Sequence, residues 1–296
     1  MGARDLAALI LLGSLWGASF IFIRVAVPVL GPFVLMDLRV LLAAAALVLG
    51  AVAVGRLPKL RAYWGRFLVL GFLNAAVPFT LIAASEINLT ASLAAILNST
   101  TPLFTAVVAA VWIGEALTPR RIGGLLLGIV GVALVVGWTP VALSPVVLLS
   151  VGASLAAALS YGFGGVYAKR AFSGLPPLSM AIGQQTGAGL LLLPPAAVSL
   201  PGAAPPFAVV LSVLALALLS TALAYLLYFR LITSVGPTST LTVTFLVPVF
   251  GLLFGALFLN EPVGVGMLVG LGVILSSVAL VTGLRLFGKE EEEKRA

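Results

Sequence analysis

Polar residues that precede prolines inside apolar runs are the first positions in this chain at which chemistry could occur. Each lies four residues before its proline: Asn74 before Pro78, Asn98 before Pro102 and Thr244 before Pro248. A proline inside a helix cannot donate to the carbonyl four residues earlier, and it kinks the helix. The pattern therefore predicts freed carbonyl oxygens beside polar side chains, with the three prolines as flexing points.

An internal repeat relates these polar positions in pairs. Asn98 and Thr244 are 146 residues apart, and Asn74 has Ser220 as its mate at the same offset. Thr101 shares a helical face with Asn98. We interpret these residues as the lining of a cavity halfway across a membrane, where they would receive a substrate ammonium or hydroxyl group. Alternatively, they satisfy the freed backbone through local or interhelical hydrogen bonds.

Aromatic residues also occupy mated positions. Trp16 and Tyr161 are 145 residues apart and each precedes a glycine, while Phe79 and Tyr225 are 146 apart. Trp16 and Tyr161 lie too deep in their apolar runs for an interfacial belt, and their polar atoms need partners. The pattern predicts that these four side chains line the same cavity. Ordinary core packing is the alternative.

Charged residues inside the apolar runs are few. Arg24 and Asp37 flank the first predicted turn, so we expect them at similar depth as a structural ion pair; the alternative is a gate or a proton-sensitive pair. No acid stands at the middle of a predicted span, as a proton relay would require. Glu115 and Glu261 end two mated spans, and we interpret them as structural or gating residues.

Cysteine and histidine are absent from the chain. Their absence excludes disulfides, Cys or His metal ligands, and Ser–His or Cys–His nucleophile pairs. Asp37 is the only aspartate within a predicted span, whereas an intramembrane aspartyl protease needs two. We therefore predict that the protein is not an enzyme and has no catalytic residues, metal site or cofactor.

Composition indicates a membrane protein. Of the 296 residues, 61% are hydrophobic and 8% are charged, and the mean hydropathy is +1.24. A soluble domain is about a quarter charged, because its surface needs polar cover. Apolar runs of about 20 residues, divided by charges and Gly/Pro clusters, predict ten spans. Their approximate bounds are 6–27, 33–54, 66–85, 91–113, 120–137, 146–168, 177–199, 207–229, 238–259 and 264–285.

The distribution of basic residues predicts the orientation. When the N-terminus is placed inside, all but two of the 16 Lys and Arg residues fall on one side, the exceptions being Arg24 and Arg39. Basic residues favour the cytoplasmic side. We therefore predict a multi-pass protein of the bacterial inner membrane with both termini in the cytoplasm. The net charge of +7 then reflects topology rather than nucleic-acid binding.

The offset between the halves extends over their full length: residues 132–137 reappear as 278–283. Each half holds five spans, and an odd number inverts the second half relative to the first. We predict an all-α polytopic membrane protein with ten transmembrane helices as two inverted five-helix repeats. The repeats cover 1–140 and 141–288, and a charged cytoplasmic tail covers 289–296.

Glycines spaced as G-x-x-x-G occur in two mated spans, at Gly124 and Gly128 and at Gly266 and Gly270. Such spacing allows close helix contact. It predicts either dimerisation or tight packing within one subunit, so the oligomeric state stays open.

Several motifs together resemble the EamA-type branch of the drug/metabolite transporter superfamily. They are Leu-Trp-Gly-Ala-Ser-Phe at 15–20, Pro32 followed by Arg39, Leu-Asn-Ser-Thr-Thr-Pro-Leu-Phe at 97–104, Gly114-Glu115, Leu-Val-Pro-Val-Phe at 246–250 and Asn-Glu-Pro at 260–262. The resemblance covers nearly the whole chain and is nearest to bacterial YddG-type amino acid exporters. It implies a cavity between the first, third, fourth, sixth, eighth and ninth spans. That cavity would contain Trp16, Phe79, Asn98, Thr101, Tyr161, Tyr225 and Thr244.

These interpretations together predict a secondary transporter that exports small neutral or aromatic L-amino acids and related metabolites by alternating access. Its partners would be an amino acid-like small molecule and the lipid bilayer, without nucleic acid. Two alternatives stay open. One is export of another substrate class, such as a polyamine, a nucleoside or a lipophilic compound, and the other is a membrane scaffold that transports nothing.

Overall fold

The computed structural model describes residues 2–55, 60–138, 144–172 and 174–283, and the regular structure within these ranges is helical throughout. Seven of the helices are long and apolar enough to cross a membrane, and a shorter apolar helix joins them. The protein is therefore a polytopic membrane protein, as predicted. The predicted boundary between residues 140 and 141 and the predicted tail at 289–296 lie outside the described residues.

Ten helical segments follow one another through the described residues. The longest helix, Ala3–Ala53, breaks at Gly31, where φ is 69°, and so forms α1 (3–30) and α2 (32–53). A similar break at Gly236, where φ is 81°, separates α8 from α9. The remaining segments are α3 (Arg61–Ser85), α4 (Ala91–Ile113), α5 (Pro119–Gly137), α6 (Pro145–Ala171), α7 (Pro177–Ala197), α8 (Phe207–Gly236), α9 (237–259) and α10 (Val265–Thr282).

Helices α5 and α10 contact each other through glycines at mated positions. A Cβ atom added to Gly124 would lie 2.7 Å from Cγ2 of Val281, and one added to Gly270 would lie 2.9 Å from the backbone nitrogen of Val135. Gly124 is the mate of Gly270, and Val135 is the mate of Val281, so the two contacts exchange under the repeat. Because the numbering rises in one helix while it falls in the other, the mated helices are antiparallel. The two halves are therefore inverted.

A second pair of contacts obeys the same symmetry. A Cβ atom on Gly17 in α1 would lie 2.6 Å from Cβ of Phe250 in α9. A Cβ atom on Gly162 in α6 would lie 3.0 Å from the backbone nitrogen of Thr105 in α4. Helix α1 thus packs on α9 as α6 packs on α4. The glycines that follow Trp16 and Tyr161 let these helices approach closely, which fixes the depth of both aromatic residues.

The G-x-x-x-G glycines pack within the chain. Gly124, Gly128 and Gly270 face the partner helix across the α5–α10 seam, and a Cβ atom on Gly266 would meet the Trp138 side chain. Of the two readings of this spacing, tight packing within one subunit is the one that these contacts support.

Substituting glycines along α5 should separate packing from helix propensity. Gly124→Ala is expected to destabilise the protein by about 1–3 kcal/mol, because the new methyl group meets Val281 and a backbone oxygen of Ser277 at 3.1 Å. The adjacent Gly123 is exposed and has no such neighbour within 4 Å, so Gly123→Ala should be neutral or stabilising by up to about 1 kcal/mol. Thermal unfolding in detergent measures both changes. Equal midpoints would contradict the packing described for the seam.

The prolines sit differently in the mated helices. Helix α4 breaks at Ser99 and Thr100, directly before Pro102, where a kink is predicted. Helix α9 breaks at residues 241–242, whereas Pro248 lies within the continuous helix Val243–Leu259. Pro78 is the second residue of the helix Val77–Ser85. Flexing at these three prolines stays a prediction.

Two glutamates mark opposite ends of the molecule. Helix α4 runs from Ala91 to Ile113. The Glu261 carboxylate bonds to the backbone of Ala91, whereas Glu115 follows the other end of α4. We refer below to the Glu261 end and the Glu115 end.

Candidate functional site

Two π-helical segments occupy mated positions in α3 and α8. They cover Phe72–Ala76 and Leu218–Leu223. A π-helical turn inserts an extra residue and shifts the hydrogen-bond register, and such turns are frequent at functional sites. In α3, the carbonyl of Leu73 accepts a hydrogen bond at 2.7 Å from Ser160 of α6. The two segments place Ser220 and Thr221 in the protein interior and leave Asn74 half-buried.

A chain of amide and hydroxyl groups crosses from α3 to α8. Asn74 Nδ2 donates to Gln184 Oε1 at 2.8 Å, and Gln184 Nε2 donates to the hydroxyl oxygen of Tyr225 at 2.7 Å. The neighbouring Gln185 is fully buried, and neither end of its amide has a partner. The predicted residues Asn74 and Tyr225 are therefore brought together by Gln184, which the sequence analysis did not select. The adjacent glutamines Gln184 and Gln185 within an apolar run could have indicated this site.

A buried arginine lies beside this chain. Arg39 of α2 is 6% exposed, and its Nε donates to Thr221 Oγ1 at 3.0 Å. Its guanidinium carbon lies 3.7 Å from the centre of the Phe79 ring, a cation–π contact. Within the described residues no carboxylate forms an ion pair with Arg39, and its two terminal amino groups have no hydrogen-bond partner. This guanidinium can therefore bind an anionic group through its fork.

The predicted aromatic residues form two groups. Tyr161 meets the Phe79 ring edge-on, with centroids 6.3 Å apart, next to Arg39. Trp16 instead contacts Tyr228, with centroids 5.6 Å apart. The rings of Tyr228 and Tyr225 both contact Phe229, which links the groups along α8. Trp16 therefore packs with Tyr228, apart from the Phe79 and Tyr161 rings that lie next to Arg39.

The polar residues of α4 and α9 bond mainly within their own helices. Thr101 Oγ1 donates to the carbonyl of Asn98 at 2.7 Å, and Thr244 Oγ1 donates to the carbonyl of Leu241 at 2.8 Å. Both threonine hydroxyls therefore bond to backbone carbonyls of their own helices, which is the alternative to cavity lining. Asn98 differs, because its Oδ1 is buried without a partner, and the hydroxyl of Ser220 is buried without one as well. These two atoms are free to meet a ligand.

The predicted ion pair between Arg24 and Asp37 is wrong. Arg24 donates to the backbone carbonyls of Glu86 and Ile87, the latter at 3.2 Å. Asp37 is buried, and its Oδ1 has no partner. The two residues lie on opposite sides of the Gly31 break, and each side chain lacks the other as a partner. A gating role for either one stays a prediction.

Glu261 caps α4 at one end of the protein. Its Oε1 accepts from the backbone N–H of Ala91 at 2.7 Å. Its Oε2 accepts from the backbone N–H of Ser92 at 2.9 Å and from Ser92 Oγ at 2.5 Å. The positive end of the helix dipole favours a carboxylate at this place. Since Glu261 belongs to the second half and α4 to the first, this cap ties the halves together.

The mate of Glu261 makes different contacts. Glu115 pairs with Lys169 at 3.3 Å and with Arg121 at 3.5 Å, and its side chain is 37% exposed. If Glu115 acted as its mate does, it would cap the start of α9 at positions 237 and 238, which are the mates of Ala91 and Ser92. Glu115 bonds to α5 and α6 instead. The two ends of the molecule are thus fastened by different interactions, although their sequences are related.

Glu86, at the Glu261 end, is a buried acid that was not predicted as a site residue from the sequence. Glu86 follows the last residue of α3 and is fully buried, and both of its carboxyl oxygens lack hydrogen-bond partners. Burial raises the pKa of Glu86 well above its usual range, and nearby Glu261 raises it further; Arg24 and Arg39 offset part of the rise. A charged residue directly after an apolar run usually lies in solvent at the end of a span, so the sequence did not indicate that Glu86 is buried.

The chain is similar in sequence to several known transporters. A model of the EamA-like transporter family matches residues 5–137 and 148–283. The uncharacterized transporter YvbV of Bacillus subtilis is 28% identical over 90% of this chain and 88% of its own length. Protein PecM of Dickeya dadantii is 27% identical over 94% and 92%, and the uncharacterized inner membrane transporter YedA of Escherichia coli K12 is 27% identical over 93% and 89%.

A solved crystal structure has the same fold. It superposes with a TM-score of 0.69 over 96% of this chain and 98% of that one, at 19% sequence identity. The family match falls on the two halves in turn, in agreement with the exchange of contacts across the α5–α10 seam.

Proposed function

Because the chain belongs to the EamA-like transporter family of the drug/metabolite superfamily, we propose that it is a secondary carrier that exports small neutral or aromatic L-amino acids and related metabolites. The two inverted repeats, at 1–140 and 141–288, would rock about a central cavity to give alternating access. In this proposal both termini, including the tail at 289–296, face the cytoplasm. The excess of basic residues on that side of the predicted spans supports this orientation.

The observation that carries the substrate assignment is the unpaired guanidinium of Arg39. A buried positive charge without a counter-ion is unfavourable, and a substrate carboxylate would neutralise it with a bidentate contact. The Phe79 and Tyr161 rings beside it offer an apolar surface to an aromatic or aliphatic side chain. The free Oδ1 of Asn98 can accept a hydrogen bond from a substrate ammonium group.

The same charge weighs against one alternative substrate class. A polyamine would bring positive charge toward Arg39, and like charges repel strongly where water is excluded. A zwitterion brings one charge of each sign and avoids this cost. We therefore favour amino acids over polycations.

Transport by purified protein in vesicles tests the proposal. We expect saturable flux of a labelled aromatic L-amino acid, reduced at least about tenfold by Asn98→Leu, because loss of one hydrogen bond to a charged group costs roughly 1.5–3 kcal/mol. Ser212→Ala is the matched control, since this hydroxyl bonds at 2.8 Å to the carbonyl of Ala208 in its own helix. Its flux should stay within about twofold of the unmodified protein.

Two outcomes would contradict this account. Unchanged flux in the folded Asn98→Leu protein would remove Asn98 from the site. Absence of flux for any amino acid, together with absence of thermal stabilisation across a panel of amino acids, nucleosides and lipophilic cations, would favour a scaffold, because a ligand that binds the folded state stabilises it.

A further inference from the structure

The carboxyl group of Glu86 lies in an enclosed position where the two halves meet. Glu86 is 0% exposed in the turn between α3 and α4, and neither Oε1 nor Oε2 has a hydrogen-bond partner. The turn is held on one side by Arg24 of α1 and on another by the bond from Asn88 to Ser150 of α6 at 3.1 Å. The carboxyl group is therefore sealed from solvent at this end of the protein in the present structure.

The neighbouring charged groups form no ion pair or hydrogen bond with the Glu86 carboxyl group, and Arg24 and Arg39 offset only part of the rise in its pKa. Arg24 bonds to backbone carbonyls, including that of Glu86 itself, rather than to the carboxyl oxygens. Glu261 is a second acid, and its hydrogen bonds go to the start of α4. Arg39 is bonded to Thr221. These three residues are the charged groups that face Glu86 from α1, from the turn before α10 and from α2.

The repeat has no second acid at this position. The mate of Glu86 is Ile232, so the Glu115 end has no equivalent group. Inverted repeats make the two ends of a carrier similar, and a residue found in one half only makes the ends respond differently to the same condition. Glu86 is an acid found in one half only, so the difference at this position has an acid–base character.

An ionised carboxylate without donors is unstable in a dry site, and it neutralises by taking up a proton. We propose that Glu86 is a proton-binding site, protonated while the Glu261 end is closed and ionised when that end opens to water. The ligand is the proton itself. This inference rests on the two-state part of the proposed function and not on the identity of the substrate.

The sign of the resulting pH dependence follows from linkage. The closed state raises the pKa of Glu86, and exposure returns it toward the ordinary value of about 4.3. Closure is therefore favoured below the ordinary pKa and is lost as pH rises toward the closed-state value. Between these two values, one linked proton shifts the ratio of open to closed protein by about tenfold per pH unit.

Thiol labelling measures this ratio directly, because the chain contains no cysteine. Ser85→Cys is nearly isosteric and places one thiol at a fully buried position next to Glu86. In vesicles without substrate, we expect the labelling rate to rise steeply as pH rises above the ordinary pKa of a glutamate carboxyl group. Each rate is divided by the rate for the denatured protein at the same pH, which removes the ionisation of the thiol.

Three further variants separate Glu86 from other acids. Glu86→Gln on the Ser85→Cys background should label slowly at every pH, and Glu86→Asp should keep a pH dependence because it keeps a titrating group. Glu115→Gln should keep the full slope, since Glu115 lies at the other end. A flat profile in the Ser85→Cys protein, or an unchanged slope in Glu86→Gln, overturns the proposal. If Glu86→Gln does not fold, a flat profile in Glu86→Asp overturns it equally. Loss of amino acid flux alone would instead count against the proposed substrate.

Discussion

Replacing Glu261 by alanine is expected to lower the free energy of unfolding by about 2–4 kcal/mol and to shift the protein toward opening at the Glu261 end. The carboxylate accepts three hydrogen bonds from the first residues of α4, two of them from backbone N–H groups. Without it, these donors lose their partner and the helix dipole loses its counter-charge. The loss is large because one side chain fastens the two halves together.

Glu115 provides the matched control for this prediction. It occupies the mated position, yet it is half-exposed and pairs with Lys169 and Arg121 near the surface. Exposed ion pairs contribute about 0–1 kcal/mol, so Glu115→Ala should have a small effect. Thermal unfolding in detergent compares the two variants. Similar losses in both would show that the cap on α4 does not hold the halves together.

Replacing Arg39 by methionine is expected to weaken binding of an aromatic L-amino acid by at least about 30-fold. The guanidinium would make charge-assisted contacts with the substrate carboxylate, and loss of one partner of such a buried pair costs about 2–5 kcal/mol. Methionine fills a similar volume, and because no acid of the described chain pairs with Arg39, the change leaves no protein carboxylate unpaired. Thr221 retains its own bond to the carbonyl of Leu216 at 2.9 Å.

A substrate analogue distinguishes recognition from loss of structure. Phenethylamine lacks the carboxylate of phenylalanine, so Arg39→Met should not weaken its binding if Arg39 acts on that group, because the change also removes a like charge. Arg39→Lys keeps the charge without the planar fork and should give an intermediate loss. Calorimetric titration measures both ligands. Equal weakening of phenylalanine and phenethylamine would assign Arg39 a structural role only.

The spans and the repeat could be predicted from the sequence because they depend on composition and register. Lipid requires long apolar segments with internally bonded backbone, and an offset of 146 residues between matching segments is still present in the sequence. The pairing of Trp16-Gly17 with Tyr161-Gly162 is visible in the sequence, and both glycines make equivalent helix contacts in the structure. These properties need no knowledge of side-chain direction.

The contacts of charged residues could not be predicted in the same way. Arg24 and Asp37 were assigned a common depth by counting from the turn, but successive residues point about 100° apart around a helix, so similar depth does not imply contact. Glu86 lies one residue beyond its span, and only the packing of the turn between α3 and α4 makes it buried.

The π-helical segments were equally hidden from the sequence. Pro78 indicated a disturbance in α3, but α8 has alanine at the mated position 224 and adopts a π-helical turn at the same place. Packing against neighbouring helices sets this hydrogen-bond register, and no single residue type specifies it. Thr221, which bonds Arg39 from this turn, could therefore be found only in the folded protein.

The α5–α10 seam has a consequence for the origin of the protein. Its contacts exchange when the halves are swapped, so each half carries a surface that fits a copy of itself. Such an isologous surface closes between two molecules as readily as between two parts of one. An ancestral five-helix polypeptide that entered the bilayer in both directions would already have formed this seam as an antiparallel homodimer. Gene fusion would then have fixed one copy in each direction and left each free to acquire residues, such as Glu86, that the other lacks.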